Sequence, residues 1–362
     1  MKKRRKRLPL LFKISLPIFI ASLILLLAAR RVSGFAELLN STVSHDFRRF
    51  TATIGNLFDF SLFEAIILSL PLILILIVFI LVRSVKKGKG ILRPTANIVA
   101  VALLLYSGNA LALGVAYNGV PIADKMELAS VEIDADSLEL TARALIEELN
   151  ATAPQVSRDD GGIARMDGGL EELSVKICDS YASLAEEHGF NKGFYSTAKS
   201  VNALNILSRL GITGIYTYYT GEANVNTDYP DYDIAFTAAH ELSHQRGILP
   251  ENEANFSAYL ICSSSDDIFL RYSGALYMYE YIASALYRAD PERYAAVASD
   301  LTELVRPDIA ASRAVTEKYG DGLLRDISHF VNDLFLKSNG TAGTVTYGMV
   351  VELAVAYITD RE

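Results

Sequence analysis

Three apolar stretches in the first third of the chain limit its possible folds most strongly, because each is about long enough to cross a bilayer as a helix. They cover residues 8–29, 60–82 and 96–117. The second stretch consists of Ile, Leu and Val almost throughout. The third contains Asn97 and Asn109, so a buried helix of a soluble domain is the alternative there. We expect residues 1–117 to form a membrane region with about three transmembrane helices and residues 118–362 to form a separate domain.

Charged residues divide the chain in the same way. Residues 1–94 carry a net charge of +12 and residues 95–362 a net charge of −20. Basic residues concentrate on the cytoplasmic side of short loops, so the tracts at 2–7 and 83–93 predict a cytoplasmic N-terminus, an outer loop at 30–59 and an extracytoplasmic domain. The second part of the chain is strongly acidic and has no stripe of Lys and Arg residues interleaved with aromatic ones. It would repel a polyphosphate backbone, so we expect no nucleic acid partner.

The first apolar stretch follows a basic start, which is also typical of secretory signal peptides. A signal peptide has a shorter apolar core and a small-x-small cleavage site after it. Here the run is long and ends in Arg30-Arg31, which favours a retained anchor. The expected location is therefore the cell membrane, with several crossings and membrane lipid as a partner.

The outer domain is expected to be mainly α-helical with a small β-sheet, an α+β fold. Residues 131–150 are expected to begin with a short extended piece and to continue as an amphipathic helix. Apolar residues three and four positions apart predict further helices at 170–187, 234–245, 250–262, 266–289, 291–305, 321–337 and 347–359. A run of β-formers at 212–219 predicts a strand that leaves through a turn. Cys178 and Cys262 lack metal-binding spacing, and they either pair or remain two buried thiols.

The strongest chemical signal is His240-Glu241-Leu242-Ser243-His244. Residues four apart lie on one face of a helix, so both imidazoles can bind one Zn²⁺ ion. Glu241, one position after the first ligand, can act as the general base toward a metal-activated water. The alternative is a solvated helix face that happens to carry two histidines.

A catalytic zinc site needs a third protein ligand, and two glutamates follow closely. Glu251 has Asn255 four positions later, where the amide can hold an imidazole N–H and fix its tautomer. Glu253 is the competing ligand, because Phe256 and Leu260 share its face and can press it toward the core. The sequence favours Glu251, and the glutamate that does not bind metal complements the helix dipole.

The pattern His240-Glu241-x-x-His244 followed by Glu251-x-x-x-Asn255 resembles the gluzincin metallopeptidases, in which a second helix supplies a Glu with an Asp or Asn four residues later. The chain also resembles a family of bacterial membrane proteins known as domain of unknown function 3810. That likeness rests on the spans and on the segments at 221–226, 240–247, 251–260, 331–337 and 346–348. These resemblances imply a zincin-like fold with one Zn²⁺ ion and bring no known substrate.

Other candidate residues carry weaker signals. Glu222 and Asn224 follow the strand that precedes the metal helix and can line the cleft, although a polar turn is the simpler interpretation. An oxyanion needs a donor, for which Tyr347 is the leading candidate, with Arg271 and His329 as alternatives. The tyrosines between 272 and 287 suggest packing more than binding.

Together these features predict a membrane-anchored zinc metallopeptidase that hydrolyses a peptide or protein substrate. The alternative is a non-catalytic zinc-containing sensor or assembly factor that binds a protein partner. Cleavage within the bilayer would require the histidine motif to lie in an apolar span. Charged residues crowd around the motif instead, at Asp228, Asp231, Asp233 and Arg246.

Overall fold

The computed structural model describes residues 8–88, 90–320 and 322–361, without the side chain of Tyr347. The basic tract at 2–7, on which the expected topology partly depends, lies outside the described residues. Helices make up most of the described chain, and a small sheet accompanies them. The prediction of a mainly helical fold with a small sheet is therefore confirmed.

The N-terminal region is built from helices α1 (Leu10–Ala29), α2 (Ser33–Ser41), α3 (Val43–Gly55), α4 (Leu62–Lys86) and α5 (Leu92–Asn109). After α5 the chain continues through a π-helical turn, Ala110–Gly114, and a 3₁₀ turn that ends at Asn118. Three long helices of the described chain are apolar enough to cross a membrane: span 1 (Leu10–Ala29), span 2 (Leu62–Lys86) and span 3 (Leu92–Asn118). The predicted apolar helices near the N-terminus are therefore present, with slightly shifted ends.

The three spans are packed unequally. Span 1 lies along span 3, and the rings of Phe19 and Tyr106 are 5.4 Å apart between them. Span 2 stands apart, because no residue in its most apolar stretch is buried by the described protein. Its apolar side chains are therefore left largely without cover by the described protein.

Residues 30–59, the expected connection between spans 1 and 2, contain α2 and α3. Arg48 on α3 is fully buried and donates hydrogen bonds to the carbonyl oxygens of Asn40 and Ala112. The side-chain amide of Asn40 donates to the carbonyl oxygen of Gly247. These bonds join the segment between spans 1 and 2 to the end of span 3 and to the following domain.

The rest of the described chain contains helices and one sheet. The helices are α6 (Ile122–Lys125), α7 (Ala135–Thr152), α8 (Gly169–His188), α9 (Ile206–Leu210), α10 (Asp231–Arg246), α11 (Glu251–Ser263), α12 (Ile268–Ala289), α13 (Pro291–Ala298), α14 (Arg306–Tyr319), α15 (Leu323–Ser338) and α16 (Val350–Thr359). The strands are β1 (Lys199–Val201), β2 (Gly214–Thr217) and β3 (Glu222–Asn226). The sheet has the order β1-β3-β2, in which β3 is parallel to β1 and antiparallel to β2.

The core lies where α7, α10, α11, α12 and α16 pack together. α15 would be long enough for a fourth span if it were continued by the segment Gly343–Thr359, which consists of a 3₁₀ turn and α16. These two parts, however, meet at an angle of 80°. Val350 and Val355 of α16 are fully buried in the domain core, so α16 belongs to that core.

Several local expectations differ from the structure. The helix expected at 291–305 ends at Ala298, and α14 was not expected at all. The turn expected after the strand occurs at residues 218–221, but the next residues, expected to belong to it, begin the buried central strand β3. The extended piece before α7 is not a strand. Cys178 and Cys262 are two separate buried thiols, so the disulfide alternative is ruled out in this structure.

Candidate metal centre

Helix α10 holds the motif His240–His244 in rigid surroundings. Every residue from 232 to 246 is buried. The helix ends at Gly247, where φ is +96°, and a Cβ atom at that position would collide with the guanidinium of Arg48. A left-handed glycine therefore stops the helix one turn after the second histidine and turns the chain back.

The reversal places the start of α11 against the histidine face of α10. Oε2 of Glu251 lies 3.2 Å from Nε2 of His240 and 3.5 Å from Nε2 of His244. The two imidazole rings are 4.5 Å apart and nearly perpendicular. One ligand atom from each of the three residues lies within 4.8 Å of the other two.

These atoms fit a zinc ion. Ligands bound at about 2.0–2.1 Å around a tetrahedral ion lie about 3.3 Å from one another, close to the two distances from Glu251. Oε2 of Glu251 is buried and has no hydrogen-bond partner among the described residues. Nδ1 of His244 lies 2.8 Å from the carbonyl oxygen of Ile248. When Nδ1 carries the proton, this bond leaves Nε2 free for a metal.

The charges of the three groups also suit a cation. Burial alone would raise the pKa of Glu251, but the two imidazoles hold it well below its usual range. Burial opposes a charge on His244, yet the carboxylate of Glu251 raises the pKa of that ring to about 9. A metal ion that binds here must therefore displace a proton from His244.

Glu241 lies beside the three candidate ligands but outside their group. Its Oε2 atom is buried without a hydrogen-bond partner among the described residues, and burial raises its pKa. β2 passes directly over this side chain at Gly214. A Cβ atom on Gly214 would lie 2.6 Å from Oε1 of Glu241 and 2.5 Å from Cγ2 of Thr237. Only glycine allows the strand to approach the carboxylate this closely.

The candidate ligands form part of the wall of a cavity of about 800 Å³, which we call the cleft. β2 forms one side of the cleft, and Tyr277 and Tyr281 of α12 form another. The remaining sides come from the end of span 3 and from α15. The cleft contacts span 3 at Asn109, Leu113 and Tyr117, and α15 at Leu324, Ile327, Val331 and Phe335.

Glu253 does not join the candidate ligands, and Asn255 bonds a tyrosine rather than an imidazole. Glu253 lies on another face of α11, near Lys125 and the backbone N–H of Ile122, and burial raises its pKa to about 7. It is absent from the group of converging ligand atoms. The side-chain amide of Asn255 lines the cleft and donates to the hydroxyl of Tyr281 at 3.3 Å, whereas no imidazole bond to it occurs among the described residues.

Glu222 and Asn224 are structural rather than cleft-lining. The carboxylate of Glu222 accepts the backbone N–H groups of Leu62 and Phe63 at the start of span 2. Oδ1 of Asn224 accepts the hydroxyl of Ser61 at 2.6 Å. Neither side chain lines the cleft, because Glu222 caps the start of span 2 and Asn224 is bonded to Ser61, the residue before that span.

The three candidate oxyanion donors have different surroundings. The side chain of Tyr347 lies outside the described part of the structure. Arg271 is paired with Glu148 of α7 at 2.9 Å and does not line the cleft. His329 of α15 lines the cleft.

Sequence reasoning missed Tyr281 and Gly214 as parts of the site. Tyr281 was grouped with the packing tyrosines of 272–287, and its spacing of four from Tyr277, which also lines the cleft, was the signal that could have separated it. Gly214 stands alone among β-formers, and an isolated glycine in a strand often marks a close approach of another group.

The metal-ligand group, the cleft, span 2 and span 3 fall inside one family match. A sequence model of the family described as Protein of unknown function (DUF3810) matches residues 41–355. The chain matches no curated protein and no solved structure. Because the match covers most of its length, the chain belongs to the DUF3810 family.

Proposed function

We propose that this protein is a membrane-anchored zinc metallopeptidase that hydrolyses peptide bonds. The observation that carries the proposal is the convergence of His240, His244 and Glu251 on one point of the cleft wall. The free carboxylate oxygen of Glu241 lies beside that point. A purely structural zinc site would be closed by a fourth protein ligand, whereas this group offers three.

A zinc ion held by His240, His244 and Glu251 would act as a Lewis acid toward a peptide carbonyl and would increase the acidity of water. Glu241 accepts a proton from the attacking water at Oε2 and returns it to the nitrogen of the leaving amine. The water oxygen bonds to the carbonyl carbon as the C–N bond breaks, which gives a carboxylic acid and an amine. The remaining acidic proton then passes to the amine or to solvent, so the products at neutral pH are a carboxylate and an ammonium group.

The cleft provides a place for an extended peptide. β2 is an edge strand of the sheet and lines the cleft from Gly214 to Thr217. A substrate that pairs with this edge as an added strand would pass its backbone beside Glu241. Main-chain hydrogen bonds would then hold the substrate whatever its sequence, and the apolar walls would select side chains.

Tyr281 is our candidate for the oxyanion donor. Its hydroxyl lines the cleft, and the bond from Asn255 orients it. Burial raises the pKa of Tyr281 to about 12, so the hydroxyl keeps its proton near neutral pH and can donate it in a hydrogen bond.

We further propose that spans 1 to 3 cross the cell membrane and that the domain with the cleft lies outside the cytoplasm. The basic residues at 83–93 support this orientation, because they lie around the end of span 2, whereas the start of that span is bonded to β3. A reporter fused after the C-terminus tests the orientation, and activity only in the cytoplasm would contradict it.

The central experiment compares the full-length protein with Glu241→Gln in detergent or lipid. We expect about one zinc per chain in both proteins and turnover only in the wild type, because glutamine cannot accept the proton. Glu253→Gln is the matched control, and it should retain both zinc and turnover. Equal activity of Glu241→Gln and wild type would refute the mechanism, and zinc without any turnover in the wild type would favour the partner-binding alternative.

A further inference from the structure

The cleft extends from the metal-ligand group down to the membrane region. It is lined by Asn109, Leu113 and Tyr117, which follow one another at intervals of four along one face of span 3. Asn109 lies about two turns before the end of that span. The π-helical turn Ala110–Gly114 lies at the same level, and such turns often occur at functional sites. With span 3 crossing the bilayer as proposed above, the cleft reaches the level of the membrane surface.

The hairpin between β2 and β3 also reaches toward the membrane. The hydroxyl of Tyr218 donates to the carbonyl oxygen of Leu105 at 2.7 Å, one turn deeper in span 3 than Asn109. Tyr218 and Tyr219 both line the cleft. Tyrosines at this level are typical of a membrane–water interface, where the ring is in an apolar layer and the hydroxyl finds a polar partner.

The other side of the cleft approaches span 2. Ile215 of β2 lines the cleft and also packs on the cluster formed by Phe63, Val201 and Leu207. Phe63 belongs to the first turn of span 2. The end of span 3 thus lines the cleft directly, and β2 lies between the cleft and the cluster at the start of span 2. Below Phe63, no residue in the most apolar stretch of span 2 is buried by the described protein, so its flank would be open to lipid.

The rim of the cleft carries an unusually apolar helix for a water-exposed position. α15 has a wide apolar face on which Leu324, Ile327 and Val331 line the cleft and are also about half exposed. The end of α15 is held at the membrane region, where Phe335 packs on Tyr117 and the carbonyl of Ser338 accepts a bond from Arg30. This rim offers an apolar path between the bilayer surface and the metal-ligand group.

We infer that the substrate is a membrane-anchored polypeptide, which enters the cleft from the bilayer between span 2 and span 3 and is cut beside its transmembrane segment. This inference rests on the proposed peptidase function. The substrate's apolar segment would stay in lipid against the flank of span 2. Its extended juxtamembrane residues would pair with β2 and cross the metal-ligand group. An anchored substrate would gain from confinement to the membrane plane, which raises its effective concentration at the cleft.

The first test compares cells that produce the full-length wild type with cells that produce Glu241→Gln. New protein N-termini are labelled and sequenced in membrane and soluble fractions. We expect N-termini that depend on Glu241 to lie within a few residues of transmembrane segments. Glu241-dependent sites spread over soluble proteins would overturn the inference and leave the peptidase proposal intact. The absence of any Glu241-dependent site would refute the peptidase proposal and, with it, this inference.

The second test uses the most frequent cleavage sequence found in the first. The same sequence is offered to the full-length enzyme in proteoliposomes, once fused to its own transmembrane segment in the same vesicles and once as a free peptide. We expect the anchored form to be cut about tenfold faster or more at equal total concentration. Equal rates for the two forms would overturn the inference, because the membrane would then make no contribution to recognition.

Discussion

The two sides of the cleft are built on opposite principles. The side with the candidate ligands belongs to α10 and α11, in which His240, Glu241 and Glu251 are buried and closely surrounded. The opposite rim is α15, on which Leu324, Ile327 and Val331 remain about half exposed. Chemistry needs atoms held to a fraction of an ångström, whereas recognition of varied apolar substrates needs a yielding surface. We therefore propose that the side formed by α10 and α11, which we call the rigid side, carries out catalysis. The rim formed by α15, which we call the yielding rim, would bind the substrate.

The largest effect is expected on the rigid side, from removal of a candidate ligand. His240→Ala leaves two ligands, so the purified full-length protein should lose nearly all of its zinc and all turnover. Glu253→Ala is the control on the neighbouring helix, and its zinc content should stay near one per chain. Elemental analysis of both proteins decides the matter. If Glu253→Ala loses its zinc and Glu251→Ala retains it, the third ligand is Glu253 and our choice of Glu251 is wrong.

A smaller but still large effect is expected where β2 passes over Glu241. In Gly214→Ala the new methyl group would overlap Oε1 of Glu241 and Cγ2 of Thr237, and overpacking of this kind costs about 1–3 kcal/mol. Because Glu241 must move, turnover should fall by about 10²-fold or more while zinc stays bound. Steady-state kinetics and zinc content measure the two properties separately.

Gly34→Ala provides the control for that change, since a Cβ atom on Gly34 in α2 meets nothing within 4 Å. It should leave stability and turnover close to those of the wild type. Unchanged turnover in Gly214→Ala would mean that the site is less rigid than the close packing implies, and the contrast between the two sides would weaken.

The rigid side also predicts how metal binding depends on pH. Glu251 raises the pKa of His244 to about 9, and zinc binds only the unprotonated ring. Between pH 8 and pH 6, each unit of acidification should therefore weaken the apparent zinc affinity about tenfold, with release of about one proton per ion. Competition with a chelator at several pH values gives the slope. A slope near zero would show that His244 is already neutral before the metal arrives.

The sequence predicted the rigid side better than the yielding one, for a physical reason. His240, Glu241 and His244 lie within five residues of one helix, so helical periodicity alone places them together. The choice between Glu251 and Glu253 depended on where α11 begins and how sharply the chain turns at Gly247. Helical periodicity gives no information about the angle between α10 and α11. Local pattern therefore favoured Glu251, and tertiary structure was needed to show which glutamate lies beside the two histidines.

The remaining parts of the cleft are assembled from distant segments. Tyr117, Gly214, Tyr281 and Ile327 come from four separate elements, and no local pattern connects them. Glu222 and Asn224 were candidates for the cleft because they are polar and follow the predicted strand. Their partners at the start of span 2 are about 160 residues away in sequence, so no local pattern reveals them. Polar residues beside a predicted site are thus ambiguous until their partners are located.

The smallest expected effect is on the yielding rim, and it tests the rim directly. Ile327→Lys places a charge on the part of α15 that lines the cleft, where it would have to be desolvated as an apolar segment approaches. Phe330→Lys makes the same change on an exposed residue of the same helix that does not line the cleft. We expect Ile327→Lys to lower kcat/KM for a membrane-anchored substrate several-fold, chiefly through KM, with zinc content and thermal stability unchanged. Phe330→Lys should have less effect on kcat/KM than Ile327→Lys. Equal losses in the two variants would assign the apolar face of α15 to general membrane contact, because the position relative to the cleft would then make no difference.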